Sequence, residues 1–176
     1  MLNNFIMWGC IIVPWLSLLL MKKDTVKRFM PVSIFTSLLM TIYNELGYTF
    51  RWWEVKQTIV PWVITYVPFV YGSFLAGTIW IFYFTYGRFM MYFLTNIIVD
   101  FIFMFPVSRG FELLGMYELV NRNRWNIYFD LILISLVIFG FQLWQEGIFK
   151  SRGDHKKREP LRVDITKIFG IKRKAR

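Results

Sequence analysis

The sequence has little of the side-chain chemistry from which most metal and covalent sites are built. Among its 176 residues there is one cysteine, Cys10, and one histidine, His155. A single cysteine excludes a disulfide within the chain, and these two residues fall short of the ligand set of a structural zinc site. The sequence also lacks the short motifs of serine hydrolases, zinc peptidases and nucleotide-binding loops. We therefore expect no metal, no cofactor and no catalytic residue, in a protein that is not an enzyme.

Long apolar runs are what the sequence has in abundance. Hydrophobic residues make up 56% of it and aromatic residues 20%, whereas soluble domains are roughly 45–50% apolar. The excess is concentrated in runs of about 20 residues, which as helices cross the ~30 Å hydrocarbon layer of a bilayer. This pattern predicts an all-α fold, a polytopic transmembrane helical bundle.

Five apolar runs predict five membrane spans, and a basic tail follows them. We place residues 1–146 in the bundle and residues 147–176 in the tail. The spans cover about residues 5–21, 29–49, 66–86, 89–106 and 125–144. The third run is too long for one span and too short for two, so we expect its helix to begin near Pro68 with a tilt or kink. Gly110 and Gly115 weaken the prediction of a short helix in the connector after the fourth span.

Positive charge predicts the orientation of these spans. If the connectors alternate between the two faces of the membrane, sixteen of the 21 Lys and Arg residues lie on one face and five on the other. Because cytoplasmic segments carry the excess of Lys and Arg, we expect the N-terminus outside and the C-terminus in the cytoplasm. The connectors after the second and fourth spans then share the outer face.

The fourth span carries the polar residues that most need an explanation. Asn96 and Asp100 are four residues apart and share one helix face, and Tyr92 extends that face by one turn. An ionised side chain near the bilayer centre costs roughly 2.5–3.5 kcal/mol on insertion scales, so we expect this face to turn away from lipid. Two hypotheses stay open. One is a proton or cation relay, and the other is a hydrogen-bonded pair that only fixes helix packing.

Glu45 and Asp130 are the other intramembrane carboxylates. In the predicted orientation both lie with Asp100 in the outer half of the bundle. Four arginines of the outer connectors are able to reach down to them: Arg51, Arg109, Arg122 and Arg124. The arrangement predicts either an acidic pocket that opens outward or a set of buried ion pairs. For Glu45 and Asp130 alone, a contact with lipid headgroups or with an arginine is the simpler interpretation.

Small residues mark a possible contact face on the third span. Gly72 with Ala76, and Ser73 with Gly77, form two overlapping pairs at a spacing of four residues. Such pairs let the backbone of another helix approach closely. The alternative is that small residues occur there by chance in a hydrophobic helix.

The tail predicts an interaction with lipid. From residue 147 onward, eleven basic and three acidic residues are interspersed with Ile, Leu, Val and Phe. Each basic residue near an anionic membrane contributes about 1 kcal/mol of attraction. We expect the tail to bind anionic lipid on the cytoplasmic leaflet, with a freely solvated tail as the alternative. Nucleic acid is not an expected partner, because no nucleic-acid-binding module is present.

Two stretches carry a resemblance to other proteins: FMPVSIFTSLLMTIYNELGY (Phe29–Tyr48) and TYGRFMMYFLTNIIVDFIF (Thr85–Phe103). In their order of hydropathy, and in a polar residue within the fourth span, they resemble small uncharacterised multi-pass membrane proteins of spore-forming Gram-positive bacteria. The resemblance covers residues 1–146 and leaves out the tail. It implies a location in the bacterial cell membrane and carries over no activity, ligand or site residue.

Two functions from different classes follow from these features. The first is a non-enzymatic membrane protein that acts by packing, as a homo- or hetero-oligomer, through the small residues of the third span. The alternative is a small proton- or cation-coupled transporter or channel that uses Glu45 and Asp100. We expect the first, because the chain is too short for the paired repeats of many transporters.

Overall fold

The computed structural model of the chain describes residues 2–60 and 66–157, with side chains described as far as residue 147. Over these residues the chain forms five helices and one antiparallel sheet of two strands. The helices are α1 (Leu2–Leu20), α2 (Lys23–Thr49), α3 (Phe69–Thr85), α4 (Phe89–Leu113) and α5 (Arg124–Lys157), and the strands are β1 (Trp53–Val55) and β2 (Tyr117–Leu119). The helical class predicted from the sequence is confirmed.

Three of the described helices are long and apolar enough to cross a membrane: α1, α4, and α5 over Arg124–Gly147. α3 is apolar but shorter. α2 has the length, but it begins with charged residues and carries a stripe of serine and threonine, which lowers its hydropathy. These three helices support a membrane protein, and the passage of α2 and α3 through the bilayer stays a prediction.

The chain divides into two compact units, Met1–Gln142 and Leu143–Arg176. The first contains α1 to α4, both strands and most of α5. The second contains the end of α5, which continues to Lys157 and so takes in the start of the predicted tail. The rest of that tail, residues 158–176, lies outside the described residues.

The core of the first unit lies where α2, α3, α4 and α5 meet. Val32, Ala76 and Ile79 have no exposed surface there, and Phe82 and Tyr92 are 2% exposed. Ala76, one of the predicted small residues, is therefore a core residue. This packing surrounds the polar face of α4 with protein.

The sheet joins the connectors that follow α2 and α4. Trp53 pairs with Leu119 and Glu54 with Glu118, and the two facing glutamates repel each other. Lys56 relieves this repulsion, because its Nζ lies 2.5 Å from a carboxylate oxygen of Glu118. The hydrogen bond between them lowers the pKa of Glu118 and raises the pKa of Lys56. The sheet places the ends of α2 and α4 on the same side of the bundle.

α4 continues beyond its predicted end at residue 106 and stops at Leu113. Pro106 lacks the N–H that an α-helix needs, and the helix accommodates it in a π-helical turn over Phe103–Val107. Gly115, with φ of +68°, then ends the helix. The N–H of Met116 bonds to the carbonyl five residues back at 3.0 Å, as in a Schellman cap. Gly115 thus ends α4, and the connector continues as β2 rather than as a separate short helix.

α1 packs against the start of α3 through a proline and two small residues. Pro14 has no N–H, so the carbonyl of Cys10, one turn earlier, lacks the donor that an α-helix usually supplies four residues later. The Ser73 hydroxyl donates to that carbonyl at 3.3 Å. A Cβ at Gly72 would lie 2.2 Å from the same oxygen, whereas a Cβ at Gly77 would meet nothing within 4 Å. Gly72 and Ser73 therefore hold a helix of their own chain.

Candidate functional site

The polar face of α4 is buried in the bundle. The exposed fractions of Tyr92, Asn96 and Asp100 are 2%, 7% and 9%, whereas Leu94 on the opposite side is half exposed. Asn96 Nδ2 donates to the Tyr92 carbonyl at 2.8 Å, and the Tyr92 hydroxyl donates to the Ser135 carbonyl at 2.9 Å. The bond from Tyr92 fixes this face of α4 against α5, and Asp100 lies at the end of the row.

Asp100 and Asn96 line a cavity of about 140 Å³ between α2, α3, α4 and α5. Most of its wall is apolar, built from side chains such as Ile81, Val99 and Ile134. All four helices contribute polar side chains: Thr36, Ser73, Thr78, Asn96, Asp100 and Ser135. None of the described residues that line it is Lys or Arg. The cavity thus holds one carboxylate without a positively charged residue in its wall.

The four hydroxyl groups of this cavity already use their protons in hydrogen bonds within the protein. Each donates to a backbone carbonyl: Thr36 to Val32 at 3.0 Å, Thr78 to Phe74 at 2.7 Å, Ser135 to Ile132 at 2.8 Å and Ser73 to Cys10 at 3.3 Å. Because a hydroxyl has a single proton, each of these oxygens offers only lone pairs to anything inside the cavity. The hydroxyls and the carboxylate together suit a positively charged group and disfavour an anion.

Asp100 is the residue of this cavity that has a buried oxygen without a hydrogen-bond partner among the described residues. Its Oδ2 is buried and has no hydrogen-bond partner among the described residues. A buried acceptor without a partner costs about 1–3 kcal/mol, and more if it is charged. A residue that served packing alone would be expected to have a partner, so Oδ2 of Asp100 is available to an occupant of the cavity.

Comparisons with protein-family models, with curated proteins and with solved structures find no match for this chain. Within the described residues, no group of three or more His, Cys, Asp or Glu side chains comes together as a metal site requires. The groups available are one carboxylate, one amide and the hydroxyl oxygens.

The other two predicted carboxylates lie outside this cavity. Asp130 accepts hydrogen bonds from Arg122 Nη1 at 2.6 Å and from the Tyr43 hydroxyl at 2.9 Å. Glu45 is exposed on α2, and neither residue lines the cavity of Asp100. The sequence left open an acidic pocket or a set of ion pairs. Asp130 forms an ion pair, and the structure does not bring the three carboxylates into one pocket.

Two further arginines, Arg109 and Arg124, pair with Glu112 near the end of α4. Arg109 Nη1 lies 3.0 Å from Glu112, and Arg124 also contacts Glu112. Arg124 Nη1 donates to the Ser108 hydroxyl at 2.8 Å. Tyr117 contacts the same hydroxyl, and burial raises the pKa of Tyr117 while Arg124 opposes that rise. This cluster ties the end of α4 to β2 and to the start of α5.

A second cavity of about 90 Å³ lies between the sheet and the bundle. The strands contribute Trp53, Val55, Tyr117 and Leu119 to its wall, which is almost entirely apolar. It shares four wall residues with the cavity of Asp100: Met40, Phe74, Phe103 and Leu131. The ring centres of Phe74 and Phe103 lie 5.0 Å apart in an edge-to-face contact. This pair of rings stands where the two cavities adjoin.

Sequence reasoning identified Asn96 and Asp100 but missed the hydroxyls around them. Thr36 is one of several hydroxyl residues on α2, and Thr78 and Ser135 are isolated in apolar runs, so nothing in the sequence relates the three to Asp100. A pattern search would need to ask which Ser or Thr of each span faces a lone carboxylate. That question has no answer before the rotation of each helix is known.

Proposed function

We propose that this chain is an integral protein of the cytoplasmic membrane that binds and passes a cation through the cavity at Asp100. The observation that carries the proposal is the buried Oδ2 of Asp100, which has no partner among the described residues. It stands in a cavity whose hydroxyls offer acceptors only. Intramembrane carboxylates turned toward a cavity commonly mark ion or substrate pathways.

The proposed topology has five spans, with the N-terminus outside and the C-terminus in the cytoplasm. The charge asymmetry of the connectors favours it. The sheet adds support, because it pairs the connectors after α2 and α4, which this topology assigns to the same outer face. In this arrangement the cavity of about 90 Å³ lies on the outer side of Asp100.

The other function predicted from the sequence, packing with a partner through the third span, gains less support. Gly72 and Ser73 already contact α1 of the same chain, and Ala76 lies in the core. Gly77 lines the cavity of Asp100. A partner would therefore have to use a different surface from the one proposed.

Cation flux into proteoliposomes tests this function, with Asp100→Asn and Glu45→Gln as matched variants. Both replacements exchange a carboxylate for its amide, but Asp100 lines the cavity and Glu45 is exposed on α2. We expect Asp100→Asn to lose the flux and Glu45→Gln to keep it, with the same helix content and elution volume in detergent. Equal flux through both variants and the wild type would refute the proposal, because a passage through Asp100 requires its charge.

A further inference from the structure

The size and polarity of the Asp100 cavity indicate which kind of cation it takes. A buried water needs about 10–15 Å³ of such space, whereas this cavity offers about 140 Å³. A bare alkali-metal ion would fill little of this volume, and water would have to fill the rest although most of the wall is apolar. Small-molecule sites have this composition, an apolar wall with a few placed polar groups. The cavity therefore fits an occupant that has both a positive charge and an apolar body.

The adjoining cavity extends the apolar part of this space. It adds about 90 Å³ beyond the Phe74–Phe103 pair and is lined by the underside of the sheet. Both rings belong to the wall of both cavities, and aromatic faces attract cations as well as apolar groups. The polar end of the space is thus at Asp100, and its apolar end is beneath Leu119.

We propose that the cation bound at Asp100 is an organic ammonium with a short alkyl or aryl body. Its three N–H groups would donate to the unpartnered oxygen of Asp100 and to two of the hydroxyls among those of Thr36, Thr78 and Ser135. Its body would lie along the Phe74–Phe103 pair and reach into the second cavity. This inference rests on the proposed cation site and names the chemical class of its substrate.

Binding of a homologous series to the full-length protein in detergent tests the inference. The probes are methyl-, propyl- and hexylammonium chloride, with sodium and potassium chloride and hexanol as the comparison, in a phosphate buffer free of other amines. Isothermal titration calorimetry gives the affinity. We expect each methylene that enters the cavity to tighten binding about fourfold, as ~0.8 kcal/mol per buried CH₂ implies. Asp100→Asn is expected to lose this binding, and Glu45→Gln is expected to keep it.

A variant that fills only the second cavity tests where the alkyl chain goes. Ile127 lines that cavity and not the cavity of Asp100. Ile127→Phe is expected to leave methylammonium binding unchanged and to abolish the gain from propyl- to hexylammonium. If this variant does not fold, Leu119→Trp on the strand serves the same purpose, because Leu119 also lines the second cavity alone. An unchanged gain with chain length in a folded variant would overturn the proposed placement.

The outcomes also separate this inference from the function on which it rests. Binding of sodium, potassium or protons that depends on Asp100, without binding of alkylammonium ions, would overturn the inference and leave the cation site standing. The absence of any binding that depends on Asp100 would overturn both. The inference would also be overturned if hexanol and hexylammonium bound with the same affinity to the wild type and to Asp100→Asn. The alkyl chain alone would then account for the affinity.

Discussion

Replacement of Asp100 by leucine is expected to make the protein more stable. Removing an unpartnered buried acceptor recovers about 1–3 kcal/mol, and Oδ2 of Asp100 is such an acceptor among the described residues. A bulkier side chain in a tightly packed core would lose about 1–3 kcal/mol to strain. That loss does not apply here, because about 140 Å³ of space adjoins the residue. The expected net gain in the free energy of unfolding is therefore about 1–3 kcal/mol.

Unfolding of the purified full-length protein by titration with SDS in mixed micelles measures this gain. The buffer is phosphate without Tris, since Tris is itself an organic ammonium and would stabilise the wild type if it bound at Asp100. Asp130→Leu is the control, because it removes the same charge from a carboxylate that does have partners. Its ion pair with Arg122 is about a quarter exposed, so the control is expected to lose about 1–3 kcal/mol.

The two variants are thus expected to change stability in opposite directions. A loss of more than about 1 kcal/mol in Asp100→Leu, an ordinary size for a core substitution, would refute the reasoning. It would mean that Asp100 has a structural partner in the folded protein, and the case for a free carboxylate would fail with it.

Three further predictions concern packing, pH and topology. Gly72→Ala is expected to lower the free energy of unfolding by about 1–3 kcal/mol in the same titration, because its Cβ would meet the backbone of α1. Gly77→Ala is expected to leave it unchanged or to raise it by up to about 1 kcal/mol. Equal losses in the two variants would contradict the close approach of α1 to Gly72. The pair of Lys56 and Glu118, with its raised lysine pKa and lowered carboxyl pKa, stabilises the fold at neutral pH. Its contribution is lost as the pH falls below about 4.3 through the lowered carboxyl pKa, and as the pH rises above about 10.4 through the raised lysine pKa. Glu118→Gln is expected to flatten both ends of the plot of unfolding midpoint against pH, and an unchanged plot would show that the pair does not contribute. A reporter fused after Arg176 is expected to give a cytoplasmic signal, and an extracytoplasmic signal would reverse the topology.

Helices were predictable from the sequence because their signal is summed over many residues. A run of about 20 apolar side chains has few alternatives to a helix in a bilayer, and the predicted spans overlap all five helices. Their ends were less predictable, as α4 shows: Pro106 indicated a stop, but a π-helical turn carries the helix on to Leu113. Strands of three residues, such as β1, are too short for an alternating pattern to be recognised.

The site was only half predictable, for a different reason. The spacing of Asn96 and Asp100 places them on one face whatever the rest of the bundle does. Which hydroxyls face them depends on how each neighbouring helix is rotated, and that is decided by packing along its whole length. Glu45 and Asp130 illustrate the limit. Their predicted depth in the membrane suggested a pocket shared with Asp100, and only the tertiary contacts show that they lie outside its cavity.

The proline in α1 has a consequence for how the protein is made. α1 leaves the ribosome well before α3, so the carbonyl of Cys10 that Pro14 leaves open has to wait for the hydroxyl of Ser73. A backbone group without a partner in hydrocarbon costs several kcal/mol. The first helix is therefore expected to stay beside water, or within the insertion machinery, until α3 is synthesised. α1 would then enter the lipid only after α3 has been synthesised, so the order of packing would follow the order of synthesis.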